Sequence, residues 1–266
     1  MTESPRLTWL DVNTWQLKLG KLTVLIDPWL QGDLIFGNAP WLICGHRPTP
    51  VPVPSSIDLI VLSQGLADHA HPETLRQLDK AIPVVASASG AAVARELGFE
   101  SVTTLAPSQT HNLADQLEIQ ALPGAPLGPF VTENAYLITI LTTGHRLYYE
   151  PHGYPSDQLA PLPDVDVAIT PIVSLKLPLA GPVIRGGEGA LEVAKLTRPQ
   201  VMLPTAEGGE VTYTGLLSSL LKQTGGAAAL RSQLAEAQLD TRVEPLKPMQ
   251  SFCLDFAPHR ATRERG

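Results

Sequence analysis

Ile57-Asp58-Leu59-Ile60-Val61-Leu62-Ser63-Gln64-Gly65-Leu66-Ala67-Asp68-His69-Ala70-His71-Pro72-Glu73-Thr74-Leu75 is the most informative stretch of this chain. Residues 57–62 form a continuous apolar run with Asp58 as its only charge, the pattern of a strand buried on both faces. A short polar loop follows, and then a helix over residues 72–78. Pro72 suits the first helical position, and Glu73 complements the positive end of the helix dipole. Asp68, His69 and His71 therefore gather at the carboxyl end of a buried strand, where ligands bind in α/β folds. His and Asp there can ligate a divalent metal. The alternative is that Asp68 or His71 caps the helix by accepting from its free backbone N–H groups.

Working outward, residues 7–10 and 14–19 alternate with the period of a strand, and Gly20-Lys21 turns the chain into a third strand at 22–26. Asp27-Pro28-Trp29 ends this hairpin and reads as a structural turn. Downstream, the pattern predicts a strand at 82–86, a helix at 87–97 closed by Gly98, and a strand at 101–105. Strands fill 117–149, with Gly144-His145 as a hairpin turn. A buried strand at 165–171, a helix at 187–197, a strand at 201–204 and helices at 215–221 and 227–239 complete the series. Runs of strands followed by strand–helix alternation, twice over, predict two sheets covered by helices. The 25 prolines cluster at 48–54, 123–129 and 161–163, which read as loops because proline removes a ladder donor. The expectation is one domain over 1–258 and a frayed basic tail at 259–266, with His259, Arg260, Arg263 and Arg265.

Hydrophobic residues make up 44% of the 266 and charged residues 17%, which excludes a disordered chain. The net charge of -7 argues against nucleic acid as a partner. The two cysteines, Cys44 and Cys253, form no CxxC pair, which excludes a zinc knuckle, and are expected as reduced, buried thiols. The absence of a charged-then-apolar leader and of any apolar run long enough for a bilayer predicts a soluble, cytoplasmic protein. No Gly-x-Ser-x-Gly elbow is present.

The chain resembles the metallo-β-lactamase fold superfamily, especially its lactonase-like branch. Val24-Leu25-Ile26-Asp27-Pro28-Trp29-Leu30 resembles the early strand and its turn, and 57–78 resembles the metal-binding strand, loop and helix. Tyr148-Tyr149-Glu150-Pro151-His152-Gly153 resembles the strand before the family's Gly-Asp-Thr-Gly turn. Residues 165–171 and 188–204 resemble the later strand, helix and strand. The resemblance implies a four-layer αβ/βα sandwich, an α/β (α+β) fold of two mixed sheets flanked by helices, with the site at one edge. The family's His-x-His-x-Asp-His loop falls on Gln64, Leu66, Asp68 and His69. Both leading histidines are replaced. The stretch 122–125 holds no histidine, and in 204–208 Ala206 stands where the last one belongs. Glu150 or His152 falls where the bridging aspartate belongs. The pattern Ser63-Gln64-Gly65…Asp68-His69-Ala70-His71-Pro72 also resembles a divergent branch found in oxygenic photosynthetic lineages.

What the resemblance implies for chemistry is one divalent metal (zinc, iron or manganese) held by Asp68, His69 and either Glu150 or His152. Asp68 and His69 would be catalytic, and the substrate a small ester, lactone or phosphoester. Gln64, His71, Glu133, Asn134 and Glu207 are the expected substrate-lining residues. The rival reading is a non-catalytic protein that keeps the fold and binds a metabolite or partner without metal, cued by the missing histidines. Leu66 is expected to pack against apolar neighbours. His111 is expected in a loop facing solvent, His145 exposed at its turn, and His46 at a pocket mouth. The glycines of 186–189 precede a helix whose N–H groups can bind an anion, without the lysine of a P-loop.

Overall fold

The computed structural model describes residues 4–37, 39–127, 131–177 and 181–259. The chain divides into two compact units: Met1–Leu105 with Glu207–Leu221 and Leu246–Asp255, and Ala106–Ala206 with Lys222–Pro245 and Phe256–Gly266. No described helix is long and apolar enough to cross a membrane. The architecture is mixed α+β, each unit carrying one large mixed sheet.

The sheet of the first unit has seven strands in the order Ser251–Cys253, Arg6–Trp9, Trp15–Leu19, Leu22–Ile26, Leu59–Leu62, Val84–Ala86 and Val102–Thr104. The first four are antiparallel to one another and the last four parallel. Gly20, at φ +58, makes the tight turn that sets the register from Trp15↔Ile26 to Leu19↔Leu22. Strands Leu22–Ile26 and Leu59–Leu62 are buried at every position, as parallel neighbours demand. On one face Leu25, Ile60, Leu62, Val84 and Ala86 pack against Leu75, Ala91, Ala94 and Phe99 from and beside helices Pro72–Gln77 and Ala88–Glu96. Each large side chain buried in this way contributes about 1.5–3 kcal/mol. A small sheet of Leu34–Ile35, Cys44–His46 and Thr212–Thr214, which the sequence patterns do not announce, lies in the same unit.

The second unit repeats the plan. Its seven strands run Thr110–Leu113, Leu117–Leu127, Val131–Ile140, Arg146–Tyr149, Val167–Thr170, Val201–Pro204 and Arg242–Val243, the first four antiparallel and the last four parallel. Leu122, Leu137, Tyr148, Ala168 and Met202 meet Val193 and Ala194 of helix Gly186–Thr197 and Leu230 and Leu234 of helix Ala227–Glu236. The glycines that open the first of these helices serve packing. A Cβ on Gly189 would lie 2.2 Å from the carbonyl oxygen of Gly153, and one on Gly186 would lie 2.2 Å from the carbonyl carbon of Val173.

Several expectations are corrected. Pro123 and Pro126 lie within strand Leu117–Leu127, where a register shift between them accommodates the lost donors; residues 128–130 lie outside the described residues. His111 is on strand Thr110–Leu113 and half-buried. His145 is buried, because its turn is covered by residues near the C-terminus: Nε2 bonds the carbonyl of Phe256 at 2.8 Å. Neither thiol is fully buried; Cys44 is intermediate and Cys253 exposed on an edge strand. Helix Leu216–Leu220 is followed by a strand, Lys222–Gly225, in a second small sheet with Val173–Leu177 and Gly181–Ile184. Of the tail, His259 donates its amide to Asp166 at 2.6 Å, and residues 260–266 lie outside the described residues.

Candidate active site

Strand Leu59–Leu62 delivers the polar loop to the sheet's carboxyl edge, beside the end of strand Leu22–Ile26. Asp27, the first residue past that neighbouring strand, still donates its amide to Val61, at 2.9 Å, and takes the left-handed conformation at φ 43. Its fully buried carboxylate then reaches across to the loop. Oδ1 accepts from the Ser63 amide at 2.7 Å, and Oδ2 accepts from the Ser63 hydroxyl and sits 2.7 Å from His69 Nδ1.

His69 is fully buried. With Nδ1 tied to Asp27, Nε2 faces Asp68 Oδ2 at 3.1 Å, and Asn13 Nδ2 lies 3.2 Å away. Burial alone lowers a histidine pKa. Here the charges of Asp68 and Asp27, with their hydrogen bonds, outweigh it and push His69 up to about 10. At neutral pH a proton therefore sits between Nε2 and the Asp68 carboxylate; a metal ion is the alternative occupant of that point. That alternative fits the donor chemistry: a carboxylate on one ring nitrogen, and the other nitrogen and a second carboxylate turned to one point, is how metal-ligating histidines are oriented.

His71 takes the capping role. It is the N-cap of helix Pro72–Gln77; Nδ1 accepts from the Thr74 amide at 3.3 Å and Nε2 bonds the Asp33 carbonyl at 3.2 Å. Burial lowers its pKa. Gln64 is buried beside this loop, and Leu66 is half-buried with its carbonyl accepting from the amides of His69 and Ala70. Gly65 presses on the neighbouring helix: a Cβ there would meet the Ser89 carbonyl oxygen at 2.7 Å. Glu207 pairs through an antiparallel bridge with Val12, and burial raises its pKa.

Sequence reading passes over much of this unit's polar interior. Asp27 reads as a turn residue, Ser63 carries no role of its own within the quoted loop, and Asn13, Asp11 and Arg47 carry no motif. Asp11 and Val12 both have positive φ, 90 and 49, a costly conformation for a β-branched residue. The Asp11 carboxylate accepts from the amides of Val12 and Gly209 at 2.8 Å and of Glu210 at 3.1 Å, which holds the bend. His46 is exposed and paired with Asp33 at 2.7 Å.

The other predicted residues belong to the second unit. Glu150 follows strand Arg146–Tyr149, and its carboxylate accepts from the amides of His152 at 3.2 Å, Tyr154 at 2.8 Å and Gly153. Gly153 has φ +79, and a Cβ on it would lie 2.1 Å from the Arg185 carbonyl oxygen. His152 is half-buried on this turn. Glu133 and Asn134 are buried on strand Val131–Ile140, and Asn134 Nδ2 donates to the Tyr136 hydroxyl at 3.2 Å.

Residues 6–206 match the family described as Beta-lactamase superfamily domain. No curated protein matches the chain. Among solved structures, it is similar to Igni18, a metallo hydrolase from the archaeon Ignicoccus hospitalis, at 16% identity and TM-score 0.66, over 95% of this chain and 99% of that one. An isothiocyanate hydrolase from Delia radicum gut bacteria matches at 18% identity and TM-score 0.65, over 94% and 98%. The metallo-β-lactamase fold protein YhfI from Bacillus subtilis matches at 16% and 0.62, over 94% and 99%.

Proposed function

The chain belongs to the β-lactamase superfamily, and from that premise we propose that it is a metal-dependent hydrolase of a small ester, lactone or phosphoester. The observation that carries this reading is the His69 ring, bonded to Asp27 through Nδ1 and turned toward Asp68 Oδ2, 3.1 Å from Nε2. Asp68 and His69 are the proposed ligands from the first unit. The third is proposed from chain order: His152, with Glu150 as the alternative. His152 is preferred because the Glu150 carboxylate already accepts from three amides of its own turn. Gln64, Glu133, Asn134 and Glu207 remain the proposed substrate contacts.

A zinc, iron or manganese ion held by these residues would supply Lewis acidity, making water a better nucleophile and the scissile carbonyl or phosphoryl group a better electrophile. The chain's own residues supply orientation and proton transfer. Asp27 and Ser63 fix the His69 tautomer and hold the ring still. Asp68 would accept a hydrogen bond from the attacking water, take its proton as the water oxygen bonds to the substrate, and return that proton to the leaving oxygen as the scissile bond breaks. A lactone substrate would place the protein in the lactonase-like branch.

The second reading, a binding protein without metal, is favoured by Gln64, Leu66 and Ala206 standing at the family's histidine positions. Metal content separates the two. Protein purified without chelators or a metal-binding tag is expected to carry about one equivalent of metal by mass spectrometry, lost in Asp68→Ala, His69→Ala and His152→Ala. Folded, metal-free wild-type protein would overturn the hydrolase reading and leave the binding protein.

A further inference from the structure

Arg47 is an unusual arginine. Its side chain is 2% exposed, and its nearest carboxylate, Asp11 Oδ2, lies 3.5 Å from Nη1. Asp11 is already engaged by three backbone amides, and so does not meet the guanidinium as a bidentate partner. The guanidinium carbon lies 4.7 Å from the Trp29 ring centroid, so the indole supports one face of the cation. The opposite edge, Nε and Nη2, is buried and makes no hydrogen bond among the described residues.

Buried donors on a charged group are costly unless a partner meets them. Nε and Nη2 form the parallel pair of N–H groups that matches two oxygens of one carboxylate or phosphate. The edge also lies in the neighbourhood of the polar loop. The indole that supports Arg47 also packs against His71, with ring centroids 5.7 Å apart and the planes tilted by 39°. Asp11 is two residues from Asn13, whose side chain is 3.2 Å from His69 Nε2. Strand Thr212–Thr214, whose three residues are exposed, pairs with strand Cys44–His46, which leads directly into Arg47.

We propose that the Nε–Nη2 edge of Arg47 docks a carboxylate or phosphate group, and that the substrate is therefore an anionic ester, lactone or phosphoester. The anion site stands on Arg47 itself; its assignment to the substrate rests on the metal-hydrolase reading above.

The test is calorimetric titration of the purified protein with acetate and with inorganic phosphate, at constant ionic strength set by chloride. Arg47→Lys keeps the charge and removes the fork. Saturable binding of either anion, weakened about tenfold or more in Arg47→Lys with metal content unchanged, is the expected result. Acetate alone points to a carboxylate substrate and phosphate alone to a phosphoester. If Arg47→Lys does not fold, the Nε–H resonance of Arg47 in wild-type protein is followed by nitrogen-15 NMR and should move and saturate with the same anion. Equal binding by wild type and Arg47→Lys, no saturable binding, or an unmoved resonance overturns the proposal. Metal-free protein that still binds the anion through Arg47 would sink the hydrolase reading and leave this site standing.

Discussion

Asp27 and Glu150 occupy the same place in the two sheets. Each is the first residue after the last antiparallel strand, and each donates its amide to the parallel neighbour, Asp27 to Val61 at 2.9 Å and Glu150 to Ile169 at 3.0 Å. Both are buried acids. Their carboxylates do different work. Glu150 turns back on its own chain and accepts from the amides of residues 152–154. Asp27 reaches 36 and 42 residues along the chain, to Ser63 and His69. One acid closes a local turn; the other ties two strand ends into a charged, buried network. The difference teaches that topology supplies the position, and that side-chain length and the adjoining loop decide whether it becomes structure or chemistry.

The largest expected effect comes from breaking the long-range tie. Asp27→Ala leaves the Ser63 amide and the His69 ring buried without their acceptor and should cost about 3–5 kcal/mol of unfolding free energy, as removal of one partner of a buried ion pair does. A loss in denaturant titration no greater than that of Glu150→Ala would erase the contrast. Glu150→Ala should cost about 1–3 kcal/mol through its unsatisfied amides and leave metal content unchanged. If metal falls in Glu150→Ala and persists in His152→Ala, Glu150 is the ligand and the two acids are more alike than their hydrogen bonds suggest.

The smallest effect concerns Glu207, whose pKa is raised by burial. A raised folded-state pKa penalises the ionised form, so the cost is fully present above the folded-state value and vanishes below the unfolded value of about 4.3. Glu207→Gln should raise the thermal midpoint slightly at pH 7 and leave it unchanged near pH 3.5. An equal gain at both pH values would show that burial of the charge is not what matters there.

Much of the fold was legible. The hairpin at 14–26, the buried strand at 57–62 and the Pro72 helix follow from alternation, apolar runs and capping chemistry, all local signals. The Asp68-His69 pair was legible because strand, loop and helix signals placed it at a sheet's carboxyl edge. The long strand through Pro123 and Pro126 was not, since proline reads as loop unless a register shift absorbs it. His145 read as exposed because its cover comes from Phe256, 111 residues away. Asp27 read as a turn residue because its partners, Ser63 and His69, lie 36 and 42 residues along the chain.

The sequence by itself determined the two-sheet plan, the site loop and the helix that follows it, with Asp68 or His71 as candidate cap, since periodicity, proline position and helix-end chemistry act over a few residues. Only the tertiary structure decided that His71 is the cap, that Asp27 holds His69, that Glu150 is engaged by its own turn, and that Arg47 keeps a buried edge unmet among the described residues. Each depends on which groups meet across tens of residues, and desolvation, which makes those meetings matter, is a property of the packed interior and not of any stretch of chain.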